Sequence, residues 1–176
     1  YSTLLKVDTT TYPRVVGDAA ERWTASPDGR TYTFTLRENV RFHDGSVLTS
    51  EDVRATFDRI RNPPQGVVSL RRALLGNIAA IETPDARTVV FRLSQPNAAM
   101  PIIFANPWNC LYSARKLAAG GSYPAREVMG TGPFRFVEHV AGDRWVGARF
   151  DGYFLAGRPH LDGFRAISIA GPALIN

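Results

Sequence analysis

Apolar and polar residues alternate strictly through Thr31-Tyr32-Thr33-Phe34-Thr35-Leu36-Arg37. Tyr32, Phe34 and Leu36 share one face, which predicts a half-buried strand. Ser26-Pro27-Asp28-Gly29 before it reads as a turn, since proline pre-sets its own φ and glycine tolerates φ > 0. Trp23-Thr24-Ala25 is then the first strand of a hairpin. The device recurs, because Thr83-Pro84-Asp85-Ala86-Arg87-Thr88 leads into Val89-Val90-Phe91-Arg92-Leu93. Pro27, Asp28, Arg30, Thr31, Phe34 and Leu36 match Pro84, Asp85, Arg87, Thr88, Phe91 and Leu93 at one constant offset. Two copies are too few for a solenoid. They predict two hairpins in one antiparallel sheet with a shared apolar face.

A helix with legible ends lies between the hairpins. Thr49 caps it, Asp52 closes a capping box, and Glu51 suits the positive end of the helix dipole. Val53, Phe57 and Ile60 form its buried stripe, and Asn62-Pro63-Pro64 stops it. Ser69 to Leu75 predicts a shorter helix, and Val40-Arg41-Phe42 the end of a strand. After Leu93 the character changes, with Pro96, Pro101 and Pro107 breaking an apolar stretch. Ser113 to Ala119 reads as a helix ended by Gly120-Gly121. Three more strands are predicted at Phe134 to Val137, Arg144 to Phe150 and Phe164 to Ile169. The fold class is α+β, a mostly antiparallel sheet with flanking helices, with a subdomain boundary near residues 105 to 115.

Composition narrows the function classes. The 176 residues are 44% hydrophobic and 21% charged, which excludes a disordered tail. The longest apolar run, Met100 to Ala105, is far short of a membrane span. A start at Tyr1 and an end at Asn176 lead us to expect a piece of a longer polypeptide. Net charge +5 and pI near 9.8 raise nucleic acid as a partner. The charge is dispersed arginine, usually beside an acid, so no nucleic-acid partner is expected.

Candidate chemistry is sparse. His43-Asp44-Gly45 sits at a strand-to-turn junction with no nucleophile motif beside it, so His43 is expected to serve the fold. His43, His139 and His160 lack metal-ligand spacing, and no metal or other cofactor is expected. Cys110 is the single cysteine, expected as a small buried residue beside Trp108 and Leu111. Gly130-Thr131-Gly132-Pro133 is a poor phosphate loop, because Pro133 lacks an N–H and a strand follows. It is expected to be a tight loop, a backbone crossing or a hinge. Trp108, flanked by Asn106, Asn109 and Tyr112, combines an apolar plate with amide groups, as small-molecule clefts do.

Several segments together resemble a family: the extracellular solute-binding proteins of family 5, the peptide- and nickel-type receptors of ABC importers. They are Ala20-Glu21-Arg22-Trp23, Ser26-Pro27-Asp28-Gly29, Tyr32 to Arg37, Val40-Arg41-Phe42-His43-Asp44-Gly45 and Leu48 to Val53. Gly130-Thr131-Gly132-Pro133-Phe134, Asp151-Gly152-Tyr153 and Gly157-Arg158-Pro159 follow in order. Phe154-Leu155 departs from the family, where tryptophan commonly follows the tyrosine.

The resemblance implies a two-lobed, type II-like periplasmic binding protein that closes on its solute like a clamp. Residues 1–110 would form the β-rich subdomain of lobe one and 111–176 part of its central subdomain, with the second lobe absent. It implies a non-enzymatic, monomeric receptor, periplasmic or extracellular and in some forms lipid-anchored. That receptor would pass a short peptide or similar polar solute to an ABC permease. Ligand-facing residues are expected at Asn106, Trp108 and Asn109, with Gly130 and Thr131 as secondary candidates. Two rivals stand beside this reading. One is a ligand-sensing domain of a cytoplasmic transcriptional regulator with the same fold, and the other an enzyme using His43 and Cys110.

Overall fold

A computed structural model describes residues 1–168 of the chain. The N-terminal segment forms a short ribbon in which β1 (Leu5–Val7) pairs antiparallel with β2 (Val15–Gly17). The predicted twin hairpins follow. β3 (Ala20–Ala25), β4 (Thr31–Leu36), β5 (Ile78–Glu82) and β6 (Thr88–Leu93) form one antiparallel sheet of order β3-β4-β6-β5. The repeat elements β4 and β6 are neighbours at its centre, with Tyr32 opposite Phe91 and Phe34 opposite Val89. Their alternation is the burial pattern: Tyr32, Phe34, Leu36, Val89, Phe91 and Leu93 are all buried.

The sheet's apolar face is closed by two helices. α1 (Ser50–Arg61) buries Val53, Phe57 and Ile60, and Asn62 caps its C-terminus. Asp52 reaches back to the Thr49 N–H at 2.7 Å, as the capping box requires. α2 (Met100–Phe104) lies within the stretch expected to be broken by proline. Pro101 falls in its first turn, where a missing N–H costs nothing, and so opens the helix instead of ending it. Phe104 inserts between the sheet and α1, with ring centroids 4.9 Å from Phe34, 4.6 Å from Phe91 and 5.6 Å from Phe57.

Two further expectations are corrected. Ser69 to Leu75 yields only a 3₁₀ turn at Arg72–Leu75, because Leu75 alone there is buried and no apolar stripe holds a longer helix. Val40 to Phe42 contributes a single bridge, Arg41 to Val47, closed tightly by the Phe42 N–H to Ser46 bond. α3 (Ala114–Ala119) starts at the Ser113 cap and ends at Gly120 with φ 72°.

The last third forms a separate antiparallel sheet, β7 (Phe134–Val140), β8 (Arg144–Arg149) and β9 (Gly163–Ile167), in that order. Ile169, the end of the third expected strand, lies outside the described residues. One face carries Phe134, Phe136, Trp145 and Phe164 in edge-on pairs, and the last three are at least 39% exposed. Among the described residues no helix is long and apolar enough to cross a membrane. Phe154, at the departure from the family pattern, is buried and carries the Arg37 guanidinium over its ring.

Candidate functional site

The first residues of the chain gather the two loops singled out in the sequence. The Ser2 carbonyl accepts the Leu111 N–H at 3.0 Å, and the Ser2 hydroxyl donates to the Thr131 carbonyl at 3.2 Å. Residues 106–113 and 130–132 therefore meet at Tyr1 and Ser2. The glycines explain how closely. A Cβ on Gly130 would lie 2.5 Å from the Tyr1 ring, and one on Gly132 would lie 2.4 Å from the Tyr1 nitrogen. Only glycine permits that approach. The Tyr1 ring in turn meets Tyr112 edge-on at 5.8 Å, and Tyr112 meets Tyr123 at 5.8 Å.

The 106–110 loop is built by asparagines. Asn106 Oδ1 accepts the Trp108 N–H at 3.0 Å, and its carbonyl accepts the Asn109 N–H at 2.9 Å. This turn projects Trp108 outward, 73% exposed. Asn109 goes the other way. It is 2% exposed, with Nδ2 donating to the Ile103 carbonyl at 2.8 Å and Oδ1 accepting from Arg71 at 3.2 Å. Asn109 thus links α2 to Arg71, a residue that sequence reasoning passed over. Among the described residues Arg71 has no carboxylate partner. Its only sequence signal is the Arg71-Arg72 pair.

The surface so formed has aromatic walls, a guanidinium held by Asn109 and backbone polar groups. Its phenols and thiol are pushed towards their neutral forms. Burial, then Tyr112 and Cys110, pushes the Tyr1 phenol up to about 12. Burial pushes the Tyr112 phenol and the Cys110 thiol up as well. Cys110 donates to the Pro107 carbonyl at 3.2 Å, while both His43 ring nitrogens are engaged by Gly130 and Gly132. The two side chains an enzyme would need are committed separately. Thr131 is fully buried, and its hydroxyl oxygen has no hydrogen-bond partner among the described residues.

A concavity of about 590 Å³ opens elsewhere, between β1, β2 and residues 153–161, lined by Lys6, Tyr153, Arg158 and His160. It contains none of the expected residues.

The family model described as bacterial extracellular solute-binding proteins, family 5 middle, matches residues 14–173. A Brucella ovis protein, provisionally named an ABC transporter peptide-binding protein, is 37% identical over 165 residues, 90% of this chain and 30% of that one. The glutathione-binding protein GsiB of Salmonella typhi is 37% identical over 143 residues, 81% of this chain and 28% of its own. Among solved structures, the PBP AgaA from A. tumefaciens R10, in complex with agropinic acid, superposes with TM-score 0.87 at 34% identity. That match covers 95% of this chain and 33% of AgaA. The periplasmic binding protein DppA of Helicobacter pylori, in complex with the peptide STSA, shares the fold at TM-score 0.85 and 24% identity, over 96% of this chain and 36% of its own. This chain spans about a third of the length of these relatives. The regulator reading finds no support among them. By the match of nearly its whole length to the family model, the chain belongs to the bacterial extracellular solute-binding proteins, family 5.

Proposed function

We propose that the chain is the lobe-one portion of an ABC importer's solute receptor, which captures a short peptide or similar polar solute and presents it to a membrane permease. The observation that carries this reading is the Tyr1–Tyr112–Arg71 surface, on a fold shared with proteins named for binding peptides, glutathione and agropinic acid. Aromatic faces supply area, while Arg71 supplies a charge that pairs with a carboxylate of the solute. Asn109 acts from behind, holding Arg71, and Trp108 forms the exposed rim. Binding would shift the receptor's population towards a closed state.

Residues 1–110 are assigned to the β-rich subdomain and 111–176 to part of the central subdomain, with the ribbon at the chain's start touching both. The receptor works as a monomer outside the cytoplasmic membrane, free or lipid-anchored, without enzymatic activity.

The test is mass spectrometry of solute co-purifying with the full-length protein. Titration calorimetry follows with short peptides, glutathione and agropinic acid. We expect at least one solute class to bind, and Arg71→Ala to weaken a carboxylate-bearing solute about tenfold. Absence of any co-purified solute, together with no binding across that panel, would overturn the reading.

A further inference from the structure

His43 lies in the turn after Phe42, within the β-rich part of the chain, yet its hydrogen bonds reach to the Gly130–Gly132 loop. Its backbone N–H donates to the Gly130 carbonyl at 2.9 Å. Its ring Nε2 lies 3.0 Å from the Gly132 carbonyl oxygen, and Nδ1 lies 3.4 Å from the Gly130 N–H. A carbonyl can only accept, and a backbone N–H can only donate. Both contacts are satisfied together only by a neutral imidazole with its proton on Nε2. The loop it grips is the one on which the Tyr1 ring rests, with glycine at both contact points. Phe150 seats the imidazole edge-on at 5.0 Å and is itself tied to the loop, its N–H donating to the Pro133 carbonyl at 2.9 Å.

We propose that His43 is a positioning residue for the solute-binding wall: in its neutral, Nε2-protonated form it latches the Gly130–Gly132 loop beneath Tyr1, and acid opens the latch. Protonation places an N–H on Nδ1 directly opposite the Gly130 N–H, donor against donor. The contact then turns from attractive to repulsive, and the loop loses one of the two contacts that the His43 ring makes with it.

The charged surroundings are few. Asp44, on the same turn, favours the imidazolium, but its carboxylate is already held by Ser46 and by Arg115 at 2.9 Å. Arg135 at the start of β7 favours the neutral ring. Burial is the leading influence and pushes the imidazole below its ordinary 6.5. A group with a lowered cationic pKa is stabilised as the neutral form. The latch is therefore complete above the ordinary imidazole value of 6.5 and is lost as pH falls through the folded-state pKa, which lies below it.

The decisive measurement is nitrogen-15 NMR of the histidine rings from pH 7.5 to 5.0, read beside hydrogen-exchange protection factors at Gly130. We expect a neutral Nε2–H tautomer for His43 at pH 7.5 and a midpoint below 6.5. Gly130 protection should fall at least tenfold as the ring titrates. His43→Gln keeps a donor for Gly132 but cannot titrate, so its Gly130 protection should be low and flat with pH. An Nδ1–H tautomer, Gly130 protection unchanged through the titration, or a wild-type pH step surviving in His43→Gln would each sink the latch. The wild-type titration needs no variant to fold. The latch rests on the receptor reading only in calling this surface a solute wall. A protein that binds nothing on the solute panel yet shows the titration loses the receptor and keeps the latch.

Discussion

At the scale of single residues, the loop under Tyr1 shows how much a missing atom can matter. Gly132 is glycine because the Tyr1 backbone occupies the place of its Cβ. Gly132→Ala should therefore cost about 1–3 kcal/mol by overpacking, read as a lowered midpoint in urea unfolding. Its neighbour behaves oppositely. Among the described residues the buried Thr131 hydroxyl has no hydrogen-bond partner, so its polarity contributes no stability. Thr131→Val, nearly the same shape, should leave the urea midpoint unchanged or raise it by up to about 1 kcal/mol. A clear loss on that substitution would mean that the hydroxyl has a bonding role. These two adjacent positions also mark where the sequence is opaque. The glycines are visible as letters, but the tyrosine that demands them lies about 130 residues away.

At the scale of elements, the periodic segments were legible and the irregular ones were not. The period-two pattern around Phe34 and Phe91 and the stripe Val53-Phe57-Ile60 depend only on which face meets a core, so both read directly. α2 did not, because three prolines suggest interruption unless Pro101 is recognised as a helix opener. The failed helix before Leu75 erred the other way, since propensity without a buried stripe does not hold a helix. Asn109 and Arg71 illustrate the same limit in the candidate site. An amide beside tryptophan reads as a solute contact, yet it is consumed by Ile103 and Arg71. The elements make their own predictions. Asp52 accepts from Thr49 and, at 2.8 Å, from the Ala114 N–H, so it joins the start of α1 to the start of α3. Asp52→Ala should cost on the order of 3 kcal/mol, against about 1 kcal/mol for Thr49→Ala, measured by the same unfolding assay. Equal losses would show that the α3 contact adds nothing. Phe104→Ala, which opens the space between β4, β6 and α1, should cost about 3–5 kcal/mol.

At the scale of the whole molecule, the chain spans about a third of a relative's length, and under the receptor reading proposed above it would offer one wall of a binding site. A solute held on one side keeps much of its hydration and meets few polar partners, so affinity should be poor. We expect the 176-residue chain alone to bind any solute of the panel more weakly than micromolar, while a full-length protein containing it binds tightly. Micromolar or better calorimetric affinity from the chain alone would place the main grip in this lobe. The sheet β7-β8-β9 has a colloidal consequence too. Among the described residues its aromatic face and two edge strands are open and favour pairing between molecules, which the net charge of +5 opposes. That repulsion is long-ranged in dilute buffer and shrinks to about 3 Å at 1 M salt. Light scattering of the chain should therefore rise with ionic strength, and Trp145→Lys, which adds charge to the middle of the patch, should suppress the rise.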